Sequence, residues 1–319
     1  MDNAESIRVR GDFTVTTDQA DRRLDRVLRG LYSDVPLDAI MKAVRKGTVR
    51  VNGVKSGCAA RLDAGDVVSV PWAPRARSTG AARGGVPLGS AEGLKTLLRT
   101  DDIWCLDKPA GLLSQPDKSG GDSLITRIWA ALSWERDDFR PALIGRLDRN
   151  VSGVSIIALN APVLRLLSSL VREGRVRKIY RAVVLGLPPE SGEINLPIMK
   201  DERTNRVMAG QIGQKGQNAL TKYRVLRRWR NFSMVELELV TGRPHQARIH
   251  MSSIGHPIAG DFKYGDRGGS RGRGRLFLHA HSISLPEDVP GDLGGVTILS
   301  PLPEEFGPGF GADSFGEKA

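Results

Sequence analysis

An aspartate between two arginines gives the first indication of chemistry in this sequence. It lies in Gly145-Arg146-Leu147-Asp148-Arg149-Asn150-Val151-Ser152-Gly153, directly before the apolar run 154–159. Neighbouring positive charge favours the ionised carboxylate, so Asp148 is predicted to act as a nucleophile or a base near neutral pH. A surface turn with a local ion pair is the alternative, and a pattern this short does not decide between the two.

A second segment places an aromatic ring beside cations. It reads Arg177-Lys178-Ile179-Tyr180-Arg181, and on a strand Lys178 and Tyr180 would face the same way. Such a ring suits an unstacked nucleobase, since every base offers a π-face for stacking. A core tyrosine flanked by surface charge is equally compatible with the strand alone.

A third segment, Thr241-Gly242-Arg243-Pro244-His245-Gln246-Ala247-Arg248, predicts the start of a helix. Pro244 suits the first helical position, and Gly255 suits the end of the helix. His245 and Arg248 are three positions apart, so they would share one helical face. A fourth, weaker segment is Asp107-Lys108-Pro109-Ala110-Gly111-Leu112.

In this order, the four segments resemble the motifs of RluA-type RNA pseudouridine synthases and span most of residues 100–285. The first is similar to His-Arg-Leu-Asp-x-x-Thr-Ser-Gly, with Gly145 in place of the histidine and Val151 in place of the threonine. The others are similar to a Lys-x-Tyr motif, to Gly-Arg-x-His-Gln-x-Arg, and to a segment that commonly has histidine before proline, where this chain has Gln115.

The resemblance implies a role for each matching residue. Asp148 would be the catalytic carboxylate, Tyr180 would pack on the target uracil, and Arg248 would pair with Asp148. Four further residues would contact substrate or RNA: Arg146, Lys178, Arg243 and His245. A flipped uracil must be shielded from water while it turns, so apolar walls are expected around Asp148.

The sequence predicts neither a metal nor a nucleotide cofactor. All five histidines fall late in the chain, and His279 and His281 could point one way from a strand. Nearby arginines, without a cysteine or carboxylate cluster, favour structural histidines over metal ligands. The sequence has no phosphate-binding Gly-x-x-x-x-Gly-Lys-Ser/Thr segment and no strand-linked Gly-x-Gly-x-x-Gly.

The overall charge favours a polyanionic partner. The chain carries a formal net charge of +11 and has a pI near 10.0, which suits nucleic acid or an anionic membrane. Its two cysteines lie far apart and support neither a disulfide framework nor a zinc finger. No signal-peptide pattern and no apolar run of bilayer length occur, so a cytoplasmic protein without a membrane partner is expected.

A compact basic unit is predicted between about residues 21 and 71. Asp21 would cap a helix over 22–31, and Pro36 would open a second helix that stops at Gly47. The dipeptide Asn52-Gly53 predicts a tight hairpin, and 66–71 a closing strand.

This arrangement resembles the S4 RNA-binding module over roughly residues 19–72. Solvated faces normally mix charges, whereas acids are few here, so phosphate contact is favoured over a merely solvated face. The candidate RNA-binding cations are Arg22, Arg26, Lys42, Arg45, Lys46 and Arg50.

The predicted fold class is α+β. Strand-like runs at 154–159, 176–185, 221–226 and 232–240 outnumber the helical stretches, which favours a mixed, largely antiparallel sheet with flanking helices. The predicted organisation is an S4-like domain (1–72), a flexible basic linker (73–90), a catalytic domain (91–306) that contains a basic glycine-rich loop (266–275), and a mobile tail (307–319).

The predicted function is isomerisation of specific uridines to pseudouridine in structured RNA. An S4-like module joined to such a catalytic unit looks most like the RluC and RluD branch, which implies large-subunit (23S) ribosomal RNA as the target. Transfer RNA is the alternative target. Two rival classes are a non-catalytic RNA-binding or ribosome-assembly protein and a hydrolase of nucleoside bonds. RNA mass separates isomerisation from hydrolysis, because only hydrolysis loses a base.

Overall fold

The computed structural model describes residues 11–73, 93–117, 120–132, 139–201, 206–210, 216–265 and 275–306. The predicted linker, apart from Ala73, and the predicted tail lie outside these ranges. So does the predicted basic glycine-rich loop, apart from Arg275.

The N-terminal unit folds around its own apolar core. Its helices are α1 (Leu24–Leu31) and α2 (Leu37–Lys46), and its strands form an antiparallel sheet in the order β1-β4-β2-β3. Leu24, Val27 and Leu28 of α1 pack with Ile40 and other buried residues, because apolar positions recur on one face of each helix. The strands are β1 (Gly11–Thr14), β2 (Arg50–Val51), β3 (Val54–Lys55) and β4 (Val67–Val70).

Two local predictions in this unit are confirmed and one is wrong. Asn52 and Gly53 have φ of +50° and +77°, as a tight two-residue hairpin requires, and Gly47 ends α2 at φ +74°. The predicted capping of α1 by Asp21 is wrong, since α1 begins at Leu24. Asp21 instead has φ +59° and pairs with Arg61.

A second, larger sheet has ten strands. Its main path is β10-β13-β14-β9-β15-β8-β6-β5, with β16 beside β15 and β7 beside β8. Only the β15–β8 pair is parallel among the described strands. The strands are β5 (Lys95–Arg99), β6 (Ile103–Lys108), β7 (Ala142–Leu143), β8 (Ser152–Ala158), β9 (Arg177–Leu185), β10 (Ser191–Asn195), β13 (Leu220–Arg228), β14 (Phe232–Leu239), β15 (Leu278–Ser284) and β16 (Thr297–Leu299). The predicted α+β class with a mixed, largely antiparallel sheet is confirmed.

Helices flank this sheet, and a small hairpin lies beside it. The helices are α3 (Leu124–Ala131), α4 (Ala161–Arg172) and α5 (Gln246–Ser253), and the hairpin is β11 (Ile198–Asp201) with β12 (Arg206–Ala209). Two short 3-10 turns follow, Gly291–Leu293 and Glu304–Phe306. No described helix is long and apolar enough to cross a bilayer.

Strand β8 is central to the sheet and buried along its whole length. Val154 and Ile156 pack in one core with α4, whereas Ile157 packs in another with α3. A strand covered on both faces needs a continuous apolar run, which is what the sequence shows at 154–159. The burial of β8 makes it a fixed support for the residues that precede it.

A side-chain hydrogen bond joins the N-terminal unit to the larger one. The backbone N–H of Ala161, at the start of α4, donates to the Asp18 carboxylate at 2.9 Å. Asp18 therefore satisfies one of the free N–H groups that every helix start exposes.

Candidate active site

The loop that carries Asp148 enters β8 and is held from the opposite side by residues 108–114. Ser114 Oγ donates to the carbonyl of Leu147 at 2.7 Å and accepts from its N–H at 3.1 Å. The N–H of Gly111 donates to the carbonyl of Arg149 at 2.8 Å. The residues on both sides of Asp148 thus have hydrogen-bonded backbone groups, which holds the loop in place.

Lys108 is buried beneath the same loop. Its Nζ donates to the carbonyls of Leu112, Pro109 and Arg149 at 2.7, 3.0 and 3.1 Å. Burial lowers the pKa of Lys108 to about 8, although the negative charge of Asp148 opposes the shift. A buried ammonium with three carbonyl acceptors holds the Asp148 loop against the 108–114 segment.

Two glycines shape the path of this loop. Gly153 has φ +115°, and a Cβ there would collide with the backbone carbonyl of Ala280 on the neighbouring strand β15. Gly145 has φ +83°, a conformation that favours glycine and would strain a histidine. Val151 is buried in the core, so an apolar residue suits the position where the resembling motif has threonine.

Arg248 joins Asp148 to a second, fully buried carboxylate. Its Nη1 donates to Asp148 Oδ2 at 2.8 Å, while Nε and Nη2 donate to the two oxygens of Asp261 at 2.7 and 2.9 Å. Burial acts to lower the pKa of Arg248, but the hydrogen bonds and charge of Asp261, and then of Asp148, outweigh it and raise the pKa. The guanidinium stays charged and is oriented by its bidentate grip on Asp261.

His245 completes the contact around Asp148. Its Nδ1 lies 3.3 Å from Asp148 Oδ2 and 2.7 Å from Arg248 Nη1. An arginine only donates, so Nδ1 is the acceptor and the ring is neutral with its proton on Nε2. Burial is the main cause that lowers the pKa of His245, which agrees with a neutral ring.

The helical start predicted at Pro244 is wrong, because α5 begins at Gln246. His245 is the residue before the helix and has φ +57°, in the left-handed region. It contacts Arg248 from this position rather than from a shared helical face.

Tyr180 approaches the same site from strand β9. Ala280 of β15 pairs with Tyr180 on one side and with Gly153 on the other, so the ring and the Asp148 loop lie one strand apart. Burial raises the pKa of Tyr180 to about 12, and the charge of Asp148 adds to the rise. The phenol is neutral and within electrostatic reach of the carboxylate.

Lys178 and Arg243 lie close together near the start of β9. A Cβ on Gly242 would lie 3.4 Å from Lys178 Nζ, and Arg243 donates through Nε to the carbonyl of Asn218 at 3.0 Å. Burial and then the charge of Arg243 lower the pKa of Lys178. Two cations are therefore concentrated at the end of β9 that carries Tyr180 two residues further on.

A cavity of about 370 Å³ opens over Asp148, His245 and Arg248, whereas Tyr180, Lys178 and Arg243 are not among its lining residues. Most lining side chains are charged or polar, and the apolar walls expected around Asp148 stay a prediction. The apolar ones are Phe262 and Leu276. The lining also includes Asp148, Arg149, Asn150, His245, Arg248, Asp261 and Lys263.

Comparisons with known proteins point to one family. A sequence model described as RNA pseudouridylate synthase matches residues 102–253, which contain Asp148, Tyr180 and Arg248. The ribosomal large subunit pseudouridine synthase C of Vibrio vulnificus is 34% identical over 92% of this chain and 93% of its own length. The chain belongs to the RNA pseudouridine synthase family.

Further relatives extend the match to the structural level. The ribosomal large subunit pseudouridine synthase C of Escherichia coli is 32% identical over 91% of this chain and 92% of its own length. The solved structure of human RNA Pseudouridylate Synthase Domain Containing 1 is 26% identical, with a TM-score of 0.57 over 70% of this chain and 89% of its own. As a pseudouridine synthase, the chain is an enzyme, which excludes the non-catalytic rival.

The structure brings some predicted site residues together and leaves others apart. Asp148, Arg248 and His245 are in contact, and Tyr180 lies within electrostatic reach of Asp148. Lys178 and Arg243 lie close to each other but are not shown in contact with Asp148. Arg146 is exposed on the Asp148 loop and forms no ion pair with a described residue. The candidate cations of the N-terminal unit lie on its surface: Arg26, Lys42, Arg45, Lys46 and Arg50 are exposed, and Arg22 is half-buried.

The remaining histidines have hydrogen-bond partners. His250 lies between Thr221 Oγ1 and the carbonyl of Leu196, and His279 contacts Ser152 Oγ at 2.9 Å. No group of metal-binding side chains occurs within the described ranges.

Sequence reasoning missed Asp261 and Tyr264, and it named Lys108 without a role. Asp261 orients Arg248, and the Tyr264 ring lies 5.1 Å from the same guanidinium. The sequence signal for Asp261 was the glycine before it. In the structure, Gly260 has a φ of +76° and lies against the backbone of Arg275, where a side chain would not fit. Nothing in the sequence pattern predicted the burial of Lys108.

Proposed function

We propose that this enzyme converts uridine to pseudouridine in large-subunit (23S) ribosomal RNA, with Asp148 as its catalytic carboxylate. The observation that carries the proposal is the 2.8 Å contact of Asp148 with a buried, oriented arginine at the edge of a cavity. The target follows the relatives named ribosomal large subunit pseudouridine synthase C, which match nearly the whole chain.

The reaction exchanges one bond for another within the same nucleotide. The bond from uracil N1 to the ribose C1′ breaks, the base turns in the cavity, and C5 forms the new bond to C1′. The C5 proton is lost and N1 is protonated, so the RNA mass stays constant. Asp148 would attack the sugar, attack the base, or abstract a ribose proton, and all three routes need the ionised carboxylate that Arg248 supports.

The surrounding residues hold the nucleotide in this proposal. Tyr180 packs on the uracil through a ring whose hydroxyl stays protonated at neutral pH. Lys178, Arg243 and the exposed Arg146 contact RNA phosphates around the unstacked nucleotide. His245 acts as a positioning residue, because its Nδ1 accepts a hydrogen bond from Nη1 of Arg248, the same atom that donates to Asp148.

In this proposal, the N-terminal unit serves as an S4-like RNA-binding domain. Its candidate cations form no ion pair with described residues, so they are available to phosphates. The match to the relatives spans about nine-tenths of the chain and therefore includes most of this unit. A separate phosphate-binding unit supplies affinity that the catalytic cavity does not have to provide.

The test is pseudouridine mapping of total RNA from cells that lack this protein. We expect specific 23S uridines to lose the modification and to regain it with the wild-type chain but not with Asp148→Asn. The amide keeps the shape and removes the charge, so RNA binding persists. Asp292→Asn, at an exposed position outside the cavity, is the control. Loss confined to transfer RNA would overturn the target, and activity of Asp148→Asn would overturn the catalytic residue.

A further inference from the structure

The turn at residues 261–265 presents an aromatic ring and a cation at the edge of the cavity that contains Asp148. Phe262 and Lys263 both line this cavity, and both are exposed. Phe262 is 51% exposed and is the one aromatic among the exposed large hydrophobic residues of the described ranges. It belongs to none of the buried apolar clusters found there, so core packing does not explain it.

The Phe262 turn (residues 261–265) is fixed to the catalytic arginine. Asp261 accepts both arms of the Arg248 fork, and its Oδ1 also accepts from the N–H groups of Lys263 and Tyr264 at 3.2 Å each. The Tyr264 ring packs on the Arg248 guanidinium at 5.1 Å. Asp261 and Tyr264 hold the turn against Arg248, and Phe262 remains exposed on it. A molecule that binds over Asp148 would therefore meet the Phe262 ring.

We propose that Phe262 stacks on the nucleobase next to the target uridine after that uridine has left the RNA stack. The inference rests on the proposed function. A flipped nucleotide leaves its neighbour without a stacking partner, and an exposed aromatic ring offers a replacement that suits any base. The Lys263 ammonium lies 5.2 Å from the centre of the Tyr264 ring and forms no ion pair with a described residue, so it is placed to contact the adjacent phosphate.

The charge and chemistry around the turn favour a nucleic-acid base over other occupants. Arg149 and Lys263 line the cavity with Phe262, so the ring lies among cations that would attract phosphates. A purely apolar protein partner would have to bury these cations without a counter-charge, which is costly. Stacking beside phosphate contacts is the combination that single-stranded nucleic acid offers.

Three substitutions at one position test the stacking role. The substrate is a synthetic RNA that contains a uridine identified by the mapping experiment. Phe262→Ala should lower kcat/KM roughly 10-fold or more, and Phe262→Trp should stay near wild type, because stacking needs a π-face. Phe262→Leu should resemble Phe262→Ala, although it keeps an apolar side chain of similar reach. Leu187→Ala is the matched control, since Leu187 is 52% exposed and lies outside the cavity lining.

The second arm removes the base instead of the ring. The same RNA is made with an abasic nucleotide on the 5′ or the 3′ side of the uridine. With one of the two abasic RNAs, the kcat/KM of the wild type should fall to that of Phe262→Ala, while the kcat/KM of Phe262→Ala should be the same as on the intact RNA. The inference would be overturned if the wild type and Phe262→Ala had equal kcat/KM on the intact RNA, or if Phe262→Leu had the kcat/KM of the wild type. It would also be overturned if Phe262→Ala stayed as far below the wild type on both abasic RNAs as on the intact RNA. A wild type that modifies no RNA would instead overturn the proposed function and the inference with it.

Discussion

Arg248 links two carboxylates with different surroundings. Asp261 has no exposed side-chain surface and receives the bidentate fork, whereas Asp148 is 31% exposed and receives a single N–H. The buried pair fixes the arginine, and the arginine then orients Asp148. In the proposed function, the accessible carboxylate is the one that meets the substrate, and the buried one holds the arginine in place.

At Arg248, removal of the side chain should affect stability and chemistry together. Arg248→Ala leaves Asp261 buried without its cation, so the free energy of unfolding should fall by about 3–5 kcal/mol. Activity should fall steeply, because Asp148 loses the N–H donor and the positive charge that orient it. Thermal unfolding and single-turnover rates measure the two effects.

Arg248→Lys separates charge from geometry. It keeps the cation but lacks the planar fork, so it should restore stability more than rate. Arg224→Ala is the control, since Arg224 forms only an exposed pair with Glu236. Near-wild-type turnover in a folded Arg248→Ala would contradict the role assigned to this arginine.

At the level of elements, sequence patterns predicted what depends on neighbours along the chain. The run at 154–159 became β8, and Asn52-Gly53 became the hairpin, because periodicity and turn chemistry are local. The central place of β15 between β9 and β8 arises from pairing with residues about 100 to 130 positions earlier in the chain, which no local pattern encodes.

The candidate site also contains residues that local motifs predicted and residues whose roles depend on contacts in the folded chain. Asp148, Tyr180 and Arg248 were named from motifs, but Asp261 was not, because its role depends on a contact made by the folded chain. Lysine is normally a surface residue, so composition gave no reason to place Lys108 in the interior. His245 was named for RNA contact, whereas its left-handed backbone turns it toward Arg248 and Asp148.

The clamp between the 108–114 segment and the Asp148 loop depends on Lys108. Lys108→Met keeps the aliphatic length but leaves three carbonyls without their shared donor, so stability should fall by about 1–3 kcal/mol. The loop should loosen, and kcat should fall more than RNA affinity. Lys222→Met, at an exposed pair with Glu193, should change neither. Unchanged kcat in a folded Lys108→Met would show that the clamp does not position Asp148.

For the whole molecule, buried histidines predict sensitivity to acid. Burial lowers the pKa of His279 to about 4, and it also lowers those of His245, His250 and His281. Below about pH 6.5 these histidines bind protons in the unfolded chain but stay neutral in the folded chain. The free energy of unfolding therefore falls as the pH drops from about 6.5 to 4. His279 alone accounts for roughly 3 kcal/mol over this window.

Denaturant unfolding at several pH values measures this loss. His279→Gln removes the titrating group from the contact with Ser152, so it should lower stability at neutral pH and flatten the fall toward pH 4. A variant with the same acid slope as the wild type would assign the sensitivity to other groups.

The N-terminal unit is expected to supply RNA affinity, and the larger unit the catalytic site. Deletion of residues 1–75 removes all six candidate cations of the N-terminal unit together with Asp18, the residue that contacts the start of α4. The larger unit has its own cores, so it should still fold. Its affinity for ribosomal RNA should fall, and the salt dependence should flatten by about 0.7–0.9 in log–log slope for each phosphate that the truncated protein no longer binds. In the full-length chain, Asp18→Ala leaves the cations in place and removes only the hydrogen bond to Ala161, so it should keep the wild-type slope. Because counterion release depends on the number of phosphates bound, a truncated protein with an unchanged slope would show that the N-terminal unit does not bind the RNA backbone.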